Sequence, residues 1–301
     1  MQFWRLIYTG AGQPYWNMAV DETLFRRCQE VNNFPPTLRI YDWREPAFTI
    51  GYFQDINQAL NLQKAGQQGL KVVRRMTGGR AILHYGELTY AVVADSRRNP
   101  QLGSSLLETY REICLAWIEV MQLLGIRVEY SRKKASQKKV RSSYDTPCFA
   151  SASIYELTVK GKKLLGSAQR RTKACFIQQG SLPRLNTGRS PASCFGPENR
   201  SRQELHSWDE RGVNLESLTG RRWTLAELKE YVKKGFEHHF GVSMVEEGLT
   251  QPETKMALQL EKEKYSRPEW NHFRLNGDHA RGPKETGNKI GLAEVVNNGS
   301  I

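Results

Sequence analysis

Thiols are the strongest nucleophiles a chain can offer once deprotonated, and five are present: Cys28, Cys114, Cys148, Cys175 and Cys194. Their odd number, their scatter and the absence of a C-x-x-C spacing speak for free thiols rather than a disulfide framework, a zinc site or a redox pair. Cys28 and Cys114 fall in predicted helices, Cys175 in a strand of alternating burial and Cys194 in a mobile loop, all settings where cysteine packs as a small apolar residue. Cys148 stands at the entrance to a run of predicted strands. A second chemical feature is Arg74-Arg75-Met76-Thr77-Gly78-Gly79-Arg80-Ala81. Adjacent glycines let backbone N–H groups approach a ligand closely, and Arg74, Arg75 and Arg80 suit an anionic or carbonyl-bearing one. Taken alone, Gly-Gly between strands is more often a tight turn, and each arginine equally fits a solvated surface.

A third feature is Lys163-Leu164-Leu165-Gly166-Ser167-Ala168-Gln169. Read as a strand, Lys163, Leu165 and Ser167 share one face while Leu164, Gly166 and Ala168 share the other, a small-residue face with room for a chain-like substrate. Spacing alone favours an edge strand guarded by a charged lysine. His84, five positions beyond Gly79, is read first as a hydrogen-bonded strand-end histidine and second as a group orienting a ligand. His238 and His239 lack the i, i+4 spacing of a metal pair, and no metal is expected.

These features need elements to hold them. Trp4–Tyr8, Thr37–Tyr41, Phe48–Phe53, Lys71–Val73, Ala81–His84 and Leu88–Val93 read as strands, followed by Ile154–Val159, Lys163–Gln169 and Cys175–Ser181. A helix over Trp16–Gln29 has Asn17 as its expected cap. Another carries Leu106, Tyr110, Ile113, Trp117, Met121 and Leu124 at helical spacing up to Gly125. Thr224 and Glu227 form a capping-box pattern ahead of a stripe of Leu225, Leu228, Val232, Phe236 and Phe240. Glu253–Tyr265 reads as a charged, weakly amphipathic helix. The fold expected is α+β, a mixed, largely antiparallel central sheet flanked by helices. Residues 1–248 are expected to form the main domain, with a basic loop at 131–141 and a long surface loop or lid at 186–213. A C-terminal helix over 249–275 and a disordered tail over 276–301 complete the chain.

Composition narrows the function classes. At 301 residues and 39% hydrophobic content the chain supports a real core. Its greasiest stretch, Ile113–Ile126, is interrupted by Glu119 and Gln122, short of the roughly 20 apolar residues that span a bilayer. No secretory signal is read at the start, so a cytoplasmic location without a membrane partner is expected. Lys and Arg outnumber Asp and Glu by 44 to 31, a formal charge of +13, which draws acidic proteins or polyanions. The basic residues are dispersed and form no RNA-recognition, helix-turn-helix or zinc-finger pattern, so no specific nucleic acid is expected.

Five ordered motifs carry a resemblance: Asn17-Met18-Ala19-Val20-Asp21-Glu22, Leu38-Arg39-Ile40-Tyr41-Asp42-Trp43, Gly51-Tyr52-Phe53-Gln54, the Arg74–Ala81 segment and the Lys163–Gln169 segment. Together they resemble the lipoate-protein ligase and octanoyltransferase family, whose fold is shared with the biotin ligase catalytic domain, over Trp4 to about Trp270. The resemblance implies that Arg74, Arg75, Thr77, Gly78, Gly79 and Arg80 hold the acyl chain or its adenylate. It implies further that Lys163 contacts the activated carbonyl, and that His84, Gly166, Ser167 and Ala168 lie in the substrate site. Pro147-Cys148-Phe149-Ala150-Ser151, followed by Ile154-Tyr155-Glu156-Leu157, is similar to the nucleophile segment of the cysteine-type octanoyltransferases. That makes Cys148 the expected nucleophile, with the Lys163 ammonium favouring its thiolate. The implied reaction moves an octanoyl group from octanoyl-acyl carrier protein to a lysine of a lipoyl-domain protein. The acceptor would be glycine cleavage H protein or a 2-oxoacid dehydrogenase E2 subunit, and no cofactor is used. The alternative is an ATP-dependent lipoate-protein ligase working through lipoyl-AMP, in which Cys148 is incidental. An amidotransferase moving octanoate between two lipoyl proteins is a related variant that also uses cysteine and that sequence separates poorly by donor, and a biotin ligase, whose Gly-Arg-Gly-Arg loop is absent here, is a weaker reading. Acidic carrier and lipoyl proteins would be drawn to the basic loop 131–141.

Overall fold

The apolar runs on either side of the central helix meet in one sheet. The computed structural model describes residues 2–132, 155–172, 174–187, 192–196 and 212–273. Cys148, the basic loop beyond residue 132, most of 186–213 and the tail over 276–301 lie outside the described residues. Strands β1 (Gln2–Gly12), β2 (Thr37–Trp43), β6 (Glu87–Asp95), β7 (Glu129–Arg132), β8 (Tyr155–Val159), β9 (Lys162–Arg171), β10 (Cys175–Pro183) and β11 (Val242–Glu246) assemble in the order β11-β1-β2-β6-β10-β9-β8-β7. Pairing is parallel across β11-β1-β2 and antiparallel elsewhere in this sheet, the mixed, largely antiparallel arrangement expected.

Burial on both faces explains why β6 is buried along its whole length and runs apolar from Tyr90 to Ala94 rather than alternating. Tyr90 and Val92 face helices α4 (Leu106–Leu123) and α6 (Leu225–Phe240), in a cluster with Trp117 and Phe236. Ala91 and Val93 face helix α1 (Pro14–Glu30), packing with Val20, Leu24 and Ile177. Each such aliphatic or aromatic side chain contributes roughly 1.5–3 kcal/mol by leaving water. Both α4 and α6 begin with complete capping boxes, Ser105 with Glu108 and Thr224 with Glu227. The Glu108 carboxyl is held down to about 2 by hydrogen bonds from Ser104 and Ser105.

A smaller sheet carries the glycine loop. Strand β3 (Ala47–Ile50) lies between β4 (Lys71–Arg74), parallel to it, and β5 (Ile82–His84), antiparallel. Since β4 and β5 flank β3, the Arg75–Ala81 segment must cross the end of β3, and it crosses at Gly51. A Cβ there would collide with the Gly79 carbonyl oxygen and sit 2.8 Å from its carbon. This is also why the expected strand Phe48–Phe53 stops at Ile50. Gly51 turns the chain, with the Gln54 side chain accepting from the Gly51 N–H (2.9 Å) and the Gln54 N–H donating to the Gly51 carbonyl (3.0 Å).

Several other expectations are corrected. Asn17 is not a cap: α1 opens at Pro14 after Gln13, and Asn17 is buried within the helix, donating to the Asp42 carbonyl (3.0 Å). Proline at the first helical position needs no N–H partner, so the helix starts earlier than the asparagine suggests. Cys175 lies in a strand that is buried along nearly its whole length rather than alternately. Cys194 is buried in a 3₁₀ turn (Ala192–Cys194) against Phe48 and Ile50, inside the stretch expected to be a surface loop. Beyond β11, helix α7 (Gln251–Leu260) runs into a π turn (Glu261–Tyr265) and a short α8 (Pro268–Phe273). This segment packs on α1, where Lys264 and Tyr265 both reach the buried Glu22. Among the described residues no helix is long and apolar enough to cross a membrane.

Candidate active site

Where the two sheets meet, a narrow cavity of about 40 Å³ opens between the small-residue stretch of β9 and the ends of β2, β5, β6 and β10. Gly166, Ser167 and Ala168 form one wall, paired across the ladder with Ser181, Gly180 and Gln179 of β10. Gly180 is a space requirement. A Cβ there would overlap the Tyr90 ring, 2.5 Å from Cζ and 2.7 Å from the hydroxyl oxygen. Tyr90 crosses beneath this point to share a hydrogen bond with the Ser167 hydroxyl (2.8 Å). Burial pushes the Tyr90 phenol up to about 12, so it stays protonated at neutral pH.

A chain of polar side chains braces one side. The Arg75 guanidinium donates to Thr49 Oγ1 (3.0 Å), Thr49 pairs with His84 Nε2 (2.7 Å), and His84 Nδ1 contacts the Glu87 carboxylate. Glu87 also accepts from Ser181 (2.6 Å) and Thr89 (2.7 Å), and Thr89 accepts from the Trp43 indole (2.8 Å). The Trp43 and His84 rings stack at 4.0 Å. These groups are all buried, so mutual satisfaction is what makes them tolerable beside an apolar cavity. The network fixes ring orientations and leaves the cavity walls rigid.

The opposite side hangs on α1. Thr77 donates to the Gln179 side chain (2.6 Å), Gln179 donates to Asp21 (2.6 Å), and Asp21 also accepts from Tyr41 (2.8 Å) and from Arg39 (2.5 Å). Arg39 and Asp21 are fully buried. Burial and the Asp21 charge push the Tyr41 phenol well above its usual range, keeping it a donor. The glycine loop is thereby moored to the core through Thr77 while its outer part remains accessible at Gly79.

The residues singled out in the sequence separate into groups. Arg75, His84, Gly166, Ser167 and Ala168 line the cavity. Thr77 anchors the loop, and the Gly78 and Arg80 carbonyls accept from the Arg75 guanidinium (2.7 and 2.8 Å), which closes the loop on itself. Arg74 is not among the lining residues. Its guanidinium is fully buried and donates to backbone carbonyls including those of Gly51, Gln54 and Asn271. Lys163 is buried three residues ahead of Gly166, and its carbonyl accepts from Val213 N–H (3.0 Å). Cys148 lies outside the described residues. Cavity residues not singled out in the sequence include Thr49, Gln179 and Ser181, while Met18, Tyr41 and Trp43 stood there only within the family motifs and without a site role. The run Gln178-Gln179-Gly180-Ser181 does carry a signal, being polar and small between the apolar residues of a buried strand.

The four described cysteines are all buried. The hydrogen bond with Cys175 and burial push the Cys28 thiol up, and burial pushes Cys114 up to about 12 and Cys194 up as well. Cys175 donates to the Cys28 carbonyl (3.1 Å). Among the described residues no group of His, Cys, Asp or Glu could hold a metal ion.

Residues 13–237 match the sequence profile of the lipoyl protein ligase A/B catalytic domain. Octanoyltransferase LipM of Brevibacillus brevis is 37% identical over 277 residues, which span 90% of this chain and 99% of that protein. Octanoyltransferase LipM of Bacillus subtilis is 34% identical over 278 residues, 90% and 98% of the two chains. In fold, the chain is similar to the bipartite lipoate protein ligase of Thermoplasma acidophilum, with a TM-score of 0.74, 21% identity, and 92% and 99% coverage. It is also similar to a lipoate-protein ligase A solved with ATP, with a TM-score of 0.72, 23% identity, and 91% and 100% coverage.

Proposed function

The chain belongs to the lipoyl protein ligase A/B catalytic-domain family, and from that membership we infer that it is an octanoyltransferase of lipoate biosynthesis. The observation that carries this reading is similarity at 33–37% identity, over nearly the full length of the relatives, to proteins named octanoyltransferases. The cavity supports it: small backbone-lined walls and a satisfied polar brace suit a medium-length acyl chain with its carbonyl toward the glycine loop.

The donor is octanoyl-acyl carrier protein, and the nucleophile is Cys148. The Cys148 thiolate attacks the thioester carbonyl, the new Sγ–C bond forms, and the carrier thiolate leaves and takes up a proton. The acceptor is a lysine of a lipoyl-domain protein, glycine cleavage H protein or a dehydrogenase E2 subunit. Its neutral amine attacks the enzyme thioester, an amide forms, the amine proton is released and Cys148 departs as thiolate. Thioester exchange is close to isoenergetic and amide formation is downhill, so ATP and other cofactors are unnecessary. Lys163 contributes positive charge near the reacting carbonyl and the thiolate. Arg75, His84, Gly166, Ser167 and Ala168 bind the chain, Thr77, Gly78, Gly79 and Arg80 shape the loop over it, and the reaction takes place in the cytoplasm. The Cys28, Cys114 and Cys194 thiols are held up and poorly nucleophilic, and Cys175, held down by its Cys28 contact, is buried and does not line the cavity, which leaves Cys148 as the candidate.

Intact-protein mass after mixing with octanoyl-acyl carrier protein and no ATP tests the reading. Wild type should gain a hydroxylamine-labile octanoyl adduct and Cys148→Ala should not. Acceptor modification that appears only with ATP and free acid would instead identify an acyl-adenylate ligase.

A further inference from the structure

Two neighbouring arginines begin the glycine loop, yet they point into different surroundings. Arg75 lines the cavity. Arg74 is turned toward α8, where its side chain donates to the Trp270 carbonyl (3.2 Å), the Asn271 carbonyl (3.1 Å) and the His272 carbonyl (3.4 Å). All three carbonyls belong to α8. The same guanidinium donates to the Gly51 (3.0 Å), Tyr52 (3.1 Å) and Gln54 (2.7 Å) carbonyls of the turn after β3. The backbone of Arg74 is gripped too: its N–H donates to Asn271 Oδ1 (2.9 Å) and its carbonyl accepts from the Trp270 indole (2.8 Å). Arg74, Trp270 and Asn271 are all buried.

A contiguous path runs from α8 to the loop over the cavity. Arg74 fixes the 51–54 turn, Tyr52 N–H donates to the Thr77 carbonyl (2.8 Å), and Gly51 packs directly beneath Gly79. Removing the α8 carbonyls would leave a buried guanidinium short of acceptors, so the arginine and the turn it holds would have to move together. We propose that α8 is a latch for the acyl site, with Trp270 and Asn271 as positioning residues that act through Arg74 on the Thr77-Gly78-Gly79 loop. The C-terminal segment is then part of the catalytic apparatus rather than an appendage to it. Its effect on rate rests on the acyl-transfer reading, whereas its effect on loop order does not.

The test compares full-length Trp270→Phe and Asn271→Ala with Glu253→Gln, which loosens the same C-terminal segment at its Arg5 contact on β1 instead. Amide hydrogen exchange is followed at residues 75–81, and octanoyl-enzyme formation is measured against donor concentration, at a temperature where every variant remains folded. The two α8 variants should exchange faster across 75–81. They should lose about ten- to a hundredfold in maximal rate, the scale of a misplaced reacting group, with half-saturation little changed. Glu253→Gln should do neither. Unchanged exchange at 75–81 in both α8 variants, or an equal loss in Glu253→Gln, would overturn the latch. If wild type forms no adduct, the acyl-transfer reading fails, and the exchange comparison still decides the latch.

Discussion

In the candidate site a backbone passes closely over a ring, and this gives a prediction with a calculable size. Gly180→Ala puts a methyl 2.5 Å from Tyr90 Cζ and 2.7 Å from its oxygen, closer still to Cε1. Non-bonded heavy atoms prefer about 3.5–4.0 Å, so roughly 1 Å of overlap must be relieved. The ring has little freedom to give way, being fully buried with its centroid 4.9 Å from that of Trp117. Overpacking of this kind costs about 1–3 kcal/mol, and losing the Tyr90–Ser167 hydrogen bond adds about 1 kcal/mol. Together these come to about 2–4 kcal/mol, or a Tm lower by roughly 3–6 °C for a protein of this size. Thermal and urea unfolding of Gly180→Ala, Tyr90→Phe, Tyr90→Leu and the two double variants form a pair of mutant cycles. Tyr90→Leu removes the ring and should recover at least about 1 kcal/mol of the alanine's cost. Tyr90→Phe keeps Cε1 and Cζ and should recover little. A Gly180→Ala protein within about 0.5 kcal/mol of wild type, the scatter expected of a neutral surface change, would refute the steric argument.

Two further outcomes follow from the charged groups. Asp21→Leu strands the fully buried Arg39 and releases Gln179, and through it Thr77; a cost of about 3–5 kcal/mol is expected in denaturant unfolding. Asp21→Leu combined with Arg39→Met should recover much of that cost, and a double variant as unstable as the single would count against an ion-pair origin. Burial alone would raise the Glu253 carboxyl, but Arg5 and the Thr250 N–H hold it below its usual range. A folded-state pKa below the unfolded one means that this stabilisation is complete above the unfolded value and disappears as pH falls through the folded one. The stability gap between wild type and Glu253→Gln should therefore narrow below about pH 4.5, and a gap that widens on acidification would reverse the assignment.

Much of the fold was legible because burial leaves a mark on composition. The apolar run Tyr90–Ala94 of β6 and the helical stripe from Leu106 to Leu124 each met the surfaces they required. What was not legible depended on partners distant in sequence. Asn17 has the type of a cap, but Pro14 had already started the helix and the Asp42 carbonyl waits beside it. Cys194 stands in a polar stretch, yet Phe48 and Ile50 bury it. Within the site, the glycine loop and the Gly166–Ala168 stretch were visible as motifs, whereas Gln179, Trp43 and Thr49 matter through hydrogen bonds that no local pattern encodes.

The Arg74-Arg75 pair shows where motif reading stops and geometry begins. Both side chains are cationic and both belong to one motif that sequence reads as ligand-holding, so sequence treats them alike. Successive residues leaving a strand point to opposite sides, and here one side is the cavity and the other is the C-terminal helix. Arg75 can act on a ligand because its neighbour takes up the opposing contacts: its N–H meets the Ile50 carbonyl (3.0 Å) while Arg74 holds the turn that follows Ile50. Charge reversal at either position would abolish activity and so could not tell the roles apart. Lysine at each position can, because it keeps the charge and loses the fork of donors. Arg75→Lys should raise the donor concentration needed for acyl-enzyme formation while leaving amide exchange in α8 as it was. Arg74→Lys should speed exchange in both α8 and residues 75–81. If the two lysine variants were indistinguishable by exchange, the division of labour between the arginines would be wrong, and the motif would be a single ligand clamp after all.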